Sequence, residues 1–252
     1  MEPMLFASDL DNTLLFSVSH RQAGDRCVEW LDGNEQGFMT PETVSLLETV
    51  QGLTRLIPVT TRSVAQYLRI RFPVTPDYAV AANGAVLLHH GQPDEEWAAE
   101  TQSLLLPWLK ELERMESVIP QRLPGRRLRR IDGAYLFLSC PNPEDAAYCR
   151  SCLTDTTLSV QTTGRKLYLF PAPINKGAAV ARLRRRFGSS GVIGAGDSPI
   201  DVSMLRECDW AIAPKDALVE GMERDRVAVW DGQGRFPDFV LQQAAAFARA
   251  GQ

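Results

Sequence analysis

The sequence predicts an α/β protein: a Rossmann-like, doubly wound parallel sheet with an inserted α+β lobe. Three observations carry this reading. The apolar run MLFAS (Met4–Ser8) ends directly in acids, as a strand buried on both faces of a parallel sheet does. Strand-like and helix-like patterns then alternate through the first 85 residues. That alternation breaks near Ala85 and resumes at Asn175. A chain of 252 residues, 44% of them hydrophobic, is long enough to bury a large core or a core with a lobe.

Each element has its own signal. After the first strand a polar segment leads to CVEWLDGNEQGFM, two strand-like pieces around a Gly-bounded turn, read as a hairpin flap. TPETVSLLETVQG reads as a helix: Thr40 caps it, Pro41 takes its first position, Val44, Leu47 and Val50 line one face, and Gly52 ends it. TRLIPVTTRS is a strand with polar residues at its exit, VAQYLRIRF a helix, and DYAVAANGAVLLHHG a strand, an Asn-Gly turn and a second strand. Residues 86–170 mix a long helical region (LLLPWLKELERMESV), the Arg-rich RLPGRRLRRIDG, and the strands AYLFLSC, LSVQTT and KLYLFPA. That order is α+β. NKGAAVARLRRRFG (helix), GVIGAGDS (strand and loop), PIDVSMLREC (helix) and DWAIAP (strand) complete the first unit. The expected division is a core of residues 1–85 and 171–252 with a lobe of 86–170. There is no internal repeat and no low-complexity linker.

Composition narrows the function classes. A formal charge of −4 gives no whole-chain attraction to nucleic acid or to an anionic membrane, so a small soluble partner is expected. The N-terminal MEPMLFASDLDN lacks a basic segment, and its apolar run is too short for a signal peptide or a membrane span, which points to the cytoplasm. Five cysteines (Cys27, Cys140, Cys149, Cys152, Cys208) are too few for a disulfide framework, so reduced thiols are expected. Cys149 and Cys152 form a lone C-x-x-C with no second pair, a weak signal for zinc or redox chemistry. Oligomeric state is not legible.

Four motifs occur in order: DLDNT (Asp9–Thr13), VTTR (Val59–Arg62), NKG (Asn175–Gly177) and GDSPID (Gly196–Asp201). The first, second and fourth follow apolar strand-like runs, and in a parallel sheet such exits converge on one rim. Adjacent carboxylates such as Asp9 and Asp11 raise one another's pKa unless a cation offsets them or one serves as an acid. Singly, each motif has an ordinary explanation: a solvated loop for Asp9 and Asp11, a strand-end cap for Thr60, an exposed helix start for Lys176, a helix N-terminus for Asp197 and Asp201. Their joint order at the right element boundaries argues against coincidence.

The ordered set resembles the haloacid dehalogenase-like superfamily of phosphotransferases. The insertion after the third strand, with AANGA at its entrance, is similar to the sugar-phosphatase-like subclass with a C2-type, C2B, cap. That group includes sucrose-phosphate phosphatases, mannosyl-3-phosphoglycerate phosphatases and phosphomannomutases. The resemblance implies an aspartyl-phosphate mechanism in which Asp9 is the nucleophile and Asp11 the general acid and base. It also implies Mg2+ held by Asp9, the Asp11 carbonyl and Asp197, with Asp201 a direct or outer ligand. Thr60 is expected to offer its hydroxyl, and Lys176 its charge, to the phosphoryl group, with Arg62 and Asn83 as further substrate contacts. Asn12 would then be a small turn-compatible residue and Thr13 a local hydrogen-bonding one.

Two residues depart from the family pattern. The second motif often reads T-G-R, whereas Thr61 stands here, a β-branched residue where glycine is permissive. Ile200 stands before Asp201 where many relatives carry Asn. Within the lobe, Arg126, Arg127, Arg129, Arg130, Arg165 and Lys166 read as solvated surface, or else as contacts for a second substrate anion. Trp30 and Phe38 of the flap read as packing residues, with exclusion of water as the other role. The expected activity is Mg2+-dependent hydrolysis of a sugar phosphate or phosphoglycerate-type ester. A phosphomutase shares the acid pair and is the enzyme alternative; a non-catalytic binding module is the other.

Overall fold

The computed structural model describes residues 3–189 and 191–251. In chain order the elements are β1 (Met4–Ser8), β2 (Phe16–Ser17), β3 (Arg26–Leu31), β4 (Asn34–Met39), α1 (Pro41–Leu53), β5 (Thr54–Pro58), α2 (Val64–Tyr67), β6 (Tyr78–Ala81), β7 (Val86–His89), β8 (Gln92–Pro93) and α3 (Glu95–Leu105). Next come α4 (Leu109–Arg122), β9 (Arg127–Ile131), β10 (Tyr135–Ser139), α5 (Pro143–Ser151), β11 (Ser159–Thr163) and β12 (Lys166–Phe170). The chain ends with α6 (Lys176–Phe187), β13 (Val192–Ala195), α7 (Val202–Arg206), β14 (Trp210–Ala213), β15 (Val227–Val229) and α8 (Phe236–Ala250).

The core is a parallel sheet in the order β15-β14-β13-β1-β5. A parallel bridge between Val59 and Val80 sets β6 beside the end of β5. Because the strands are covered on both faces, β1 is apolar from Met4 to Ala7: Phe6 packs with residues of α1 and α8, while Leu5 and Ala7 pack with residues of α6 and α7. The α1–α8 layer is pinned by Asp238, which accepts from Thr43 Oγ1 at 2.6 Å and from Thr40 Oγ1. Thr40 also caps α1, as the sequence predicts, although the helix passes Gly52 and ends at Leu53.

The flap forms as expected, with β3 and β4 paired antiparallel around Asp32-Gly33, both at positive φ. It adds an unexpected consequence. VAQYLRIRF is helical only at Val64–Tyr67, because Ile70 bridges to Glu29 and Arg71 N–H donates to Val28 O. Pairing with the flap overrides helical propensity there.

The lobe is an antiparallel sheet in the order β11-β12-β10-β9. Its two faces differ completely. Leu136, Leu138, Leu167 and Leu169 pack against Leu112, Met115 and Ile119 of α4 and Ala146 and Cys149 of α5. The alternate residues Tyr135, Phe137, Tyr168 and Phe170 form a second cluster with Ile174 and Ile200, facing the core. Trp97 of α3 packs with Leu5, Ile57 and Leu183 of the core. All five cysteines are free. Among the described residues, no helix is long and apolar enough to cross a membrane.

Candidate active site

Asp9 stands one residue beyond β1, and its N–H donates to Ala195 O of β13 at 2.8 Å, which fixes it beside the loop carrying Asp197 and Asp201. Lys176 opens α6, whose N-cap Asn175 accepts from Ala178 N–H. The lysine is 1% exposed, and its Nζ donates at 2.5 Å to both Asp9 Oδ1 and Asp201 Oδ1. The other oxygen of Asp201 accepts from Asp197 N, Ser198 N and Ser198 Oγ at 3.2, 2.9 and 2.8 Å. Gly196 makes this approach feasible, since a Cβ there would lie 2.7 Å from Asp201 Cγ. Asn12 Nδ2 reaches Asp197 Oδ2 at 3.4 Å, and Thr13 Oγ1 reaches Asp9 Oδ2 at 3.5 Å.

Three carboxylates and one lysine leave this cluster short of positive charge. Burial, reinforced by Asp201, Asp197 and Asp11, pushes the Asp9 carboxyl well above its ordinary range despite the opposing pull of Lys176. Burial and Asp201 also push Asp197 up to about 6. For Lys176 burial works against the charge, but Asp201 and Asp9 outweigh it and raise the pKa. Oxygens of Asp9, Asp197 and Asp201 lie within 4.8 Å of one another, a donor set that fits a hard divalent cation. A second set, Cys140, Asp145 and Cys149, has similar spacing in the lobe. There Asp145 is already paired with Arg126, which supplies the positive charge a metal would bring.

Asp11 is held differently. Arg62 Nε and Nη2 donate to its two oxygens at 2.9 and 2.8 Å, a bidentate fork. Burial alone would raise the Asp11 pKa, but the bonds and charge of Arg62 overcome it and keep the carboxyl below its usual range. The third guanidinium nitrogen, Nη1, lies 2.9 Å from Glu29 Oε2 as an ion pair without hydrogen-bond alignment. Glu29, 2% exposed on β3, also accepts from Arg69 at 2.9 and 3.1 Å. The flap therefore anchors the arginine that holds Asp11. Sequence reasoning missed Glu29, which reads as an ordinary strand residue.

Thr60 is fully buried; its hydroxyl accepts from Arg62 N–H at 3.1 Å, and its carbonyl accepts from Asn83 N–H at 2.8 Å. Asn83 is 1% exposed, with Nδ2 donating to Ile174 O at 3.0 Å, so it ties the second motif to the segment before Lys176. Thr61, not Thr60, lines the cavities. It lacks the positive φ that would demand glycine, so the T-T-R turn carries no backbone strain at that position. Ile200 packs among the aromatic residues of the lobe face.

Two adjoining cavities lie between core and lobe. A small one of about 60 Å³ is lined by Asp9, Asp11, Lys176, Asp197, Lys166 and Tyr168 among others. It meets a larger cleft of about 300 Å³ at Asp11, Thr61, Lys166 and Tyr168. The lobe is latched over both: Tyr135 Oη donates to Thr61 O, and Val64 N–H donates to Asp132 Oδ2 at 2.8 Å. Burial pushes the Tyr168 phenol up to about 12, which keeps it neutral at the cavity junction.

Five of the six basic residues singled out in the lobe separate into two groups; the sixth, Arg127, is exposed, pairs in register with Ser139 and lines neither cavity. Arg126 pairs with Asp145, and Arg130 with Glu116, on the surface side. Arg129, Arg165 and Lys166 line the cleft, Arg129 with its guanidinium 4.8 Å from the Phe137 ring centre. In the flap, Phe38 is fully buried under Arg21, and Trp30 stacks with Arg71; both are packing residues.

The sucrose-6F-phosphate phosphohydrolase family model matches residues 2–226. The chain belongs to that family. It is a haloacid dehalogenase-like phosphohydrolase of the sugar-phosphatase-like subclass, and its candidate site is the carboxylate cluster described above. A phosphoglycolate phosphatase of Pyrobaculum islandicum is 28% identical over 236 residues, covering 93% of this chain and 92% of its own. The sucrose-phosphatase of Synechocystis, solved with sucrose and phosphate, shares the fold at a TM-score of 0.61, with 18% identity and 98% of each chain covered. A haloacid dehalogenase-like hydrolase of B. subtilis superposes at a TM-score of 0.59, with 18% identity over 95% of this chain and 99% of its own.

Proposed function

We propose that the chain is a Mg2+-dependent phosphatase that hydrolyses a small phosphorylated metabolite, a sugar phosphate or phosphoglycerate-type ester, through an aspartyl-phosphate on Asp9. The observation that carries this is Lys176, buried and shared by Asp9 and Asp201 at the base of the small cavity. A lysine so placed offsets the nucleophile's charge as it meets a phosphate dianion, which is the main barrier to attack. The names of relatives span both ester types: a sugar phosphate for the matching family, a carboxylated ester for the Pyrobaculum protein.

In this reading an Asp9 oxygen attacks phosphorus, and the departing alkoxide takes a proton from Asp11. Asp11 then takes a proton from the water that attacks phosphorus, and Asp9 and inorganic phosphate are regenerated. Arg62 keeps Asp11 ionised at rest, the state the second step needs. The entering phosphate dianion opposes that pull and favours the protonated form needed in the first. Mg2+ on Asp9, the Asp11 carbonyl and Asp197 would neutralise the carboxylates and the phosphoryl oxygens. Both oxygens of Asp201 are already engaged, so we assign it to holding Lys176 and the 197–198 loop from outside the metal shell. Thr60 and Asn83 act by fixing the Thr61–Arg62 turn, and Thr61 takes the phosphoryl contact expected of Thr60.

We keep residues 1–85 and 171–252 as the catalytic unit and 86–170 as the cap, whose leading helix α3 packs on the core. Five free thiols fit a reducing compartment, the cytoplasm. The test is phosphate release from a panel of sugar phosphates and phosphoglycerate esters, with Mg2+ or EDTA, for wild type and Asp9→Asn. Release that needs Mg2+ and Asp9, without a bisphosphate activator, is expected. Isomer formation with little release would establish a mutase instead.

A further inference from the structure

The cleft beside Asp11 carries more positive charge than its own carboxylates balance. Its lining holds five cationic side chains, Arg62, Arg69, Arg129, Arg165 and Lys166, against two carboxylates, Asp11 and Glu29. Those two carboxylates are already matched by Arg62 and Arg69. Among the described residues, Arg129, Arg165 and Lys166 form no ion pair within 4.0 Å, although the charge of Lys166 adds to that of Arg62 in lowering the Asp11 pKa. The inner cluster needs none of the three: Lys176 and a divalent cation together equal the charge of Asp9, Asp197 and Asp201. A phosphoryl dianion at the small cavity therefore leaves the cleft with an excess of about one positive charge.

The cap sheet explains where that excess sits. Register pairs Phe137 with Arg129 on one side and with Tyr168 on the other; Ser139, next on the same face, pairs with Lys166. The exposed cations thus flank an aromatic floor, and Lys166, lining both cavities, stands at their junction. Arg129 and Arg165 line the larger cleft and are absent from the smaller one, so they face the part of the substrate that leaves. Arginine forks suit a planar carboxylate.

We propose that the leaving group of the preferred substrate carries a carboxylate, held by Arg129 and Arg165 across the cleft from the phosphoryl cavity. The substrate class is then a compact carboxylated phosphomonoester, not a neutral sugar phosphate. A cleft of about 300 Å³ is at the small end for a ligand site, in keeping with such an ester. This rests on the phosphatase reading and selects between its two substrate types.

The test compares two esters of matched size, 3-phosphoglycerate and glycerol 3-phosphate, with p-nitrophenyl phosphate as a neutral reporter of phosphatase chemistry. Wild type should show kcat/KM for 3-phosphoglycerate at least about tenfold above that for glycerol 3-phosphate. Arg129→Gln and Arg165→Gln should each reduce that ratio severalfold, chiefly through KM, and Arg165→Lys should restore part of it. Calorimetric titration of Asp9→Asn with the two esters should reproduce the preference in Kd alone. Hydrolysis of p-nitrophenyl phosphate and glycerol 3-phosphate with no preference for the carboxylate would overturn this inference and leave the phosphatase reading standing. A ratio unmoved in both glutamine variants would overturn the assignment to these arginines. No hydrolysis of any ester would overturn the phosphatase reading and the inference with it.

Discussion

Replacing Lys176 by methionine isolates the interaction on which the site depends. The side chain is of similar length, so packing is largely kept, but Asp9 and Asp201 each lose a bond of 2.5 Å to a buried cation. Asp201 keeps three donors from residues 197 and 198, whereas Asp9 keeps only the long contact from Thr13. The proton needed to relieve the cluster therefore goes to Asp9, whose pKa, already raised, rises further. Removing one partner of a buried ion pair costs about 3–5 kcal/mol. The sign with pH follows from linkage. A carboxyl whose folded pKa lies above its unfolded one takes up protons on folding, so the variant regains stability as pH falls toward the unfolded range near about 4. The lysine itself has a raised pKa, so in wild type its contribution is complete at neutral pH and lost only in strong alkali. Urea unfolding in EDTA should give a deficit of about 3–5 kcal/mol near about pH 8, shrinking near about pH 5. At neutral pH kcat should fall by about 10²–10³-fold, the typical loss for one electrostatic stabiliser. A deficit below about 1 kcal/mol, or one equal at both pH values, would show that the two bonds to Lys176 do not carry this share of the stability.

Three further outcomes follow from the geometry. Gly177→Ala puts a Cβ 2.8 Å from the Ser203 carbonyl carbon, so α6 must move off α7 and carry Lys176 with it; about 1–3 kcal/mol of stability and about 10²-fold of kcat should be lost, by urea unfolding and steady-state assay. Arg62→Gln removes the fork that depresses Asp11, so the acid limb of the kcat–pH profile should move to higher pH, and an unmoved limb would show that Arg62 does not set that pKa. Asp238→Ala leaves Thr40 and Thr43 without their shared acceptor; none of the three lines either cavity, so the change should cost about 1–3 kcal/mol in urea while kcat stays at the wild-type value.

Much of the site was legible because it is made of strand exits and helix starts, which chain order alone places on one rim. Asp9, Lys176, Asp197 and Asp201 meet because β1 and β13 are neighbours and α6 begins beside them. Other features depended on contacts that no local pattern encodes. Glu29 joins Arg62 only because the flap folds onto the second motif, and the same pairing cuts short the helix expected at VAQYLRIRF. The two-faced cap lay within reach of the sequence, since Tyr135, Phe137, Tyr168 and Phe170 alternate with leucines at a period of two. The same alternation separates Arg129 from Arg130. Which face meets the core was not legible, because it depends on how the inserted chain returns at Pro171.

Covalent transfer of the phosphoryl group to Asp9 can be read by acid-quenching the enzyme during turnover, digesting it with pepsin at low pH, where an acyl phosphate survives, and weighing the peptide that carries Asp9 by mass spectrometry. The account predicts the added mass of one phosphoryl group, located on Asp9 by fragmentation, present with Mg2+ and absent with EDTA or in Asp9→Asn. Phosphate on another residue, or full turnover with an unmodified peptide at every quench time, would contradict it.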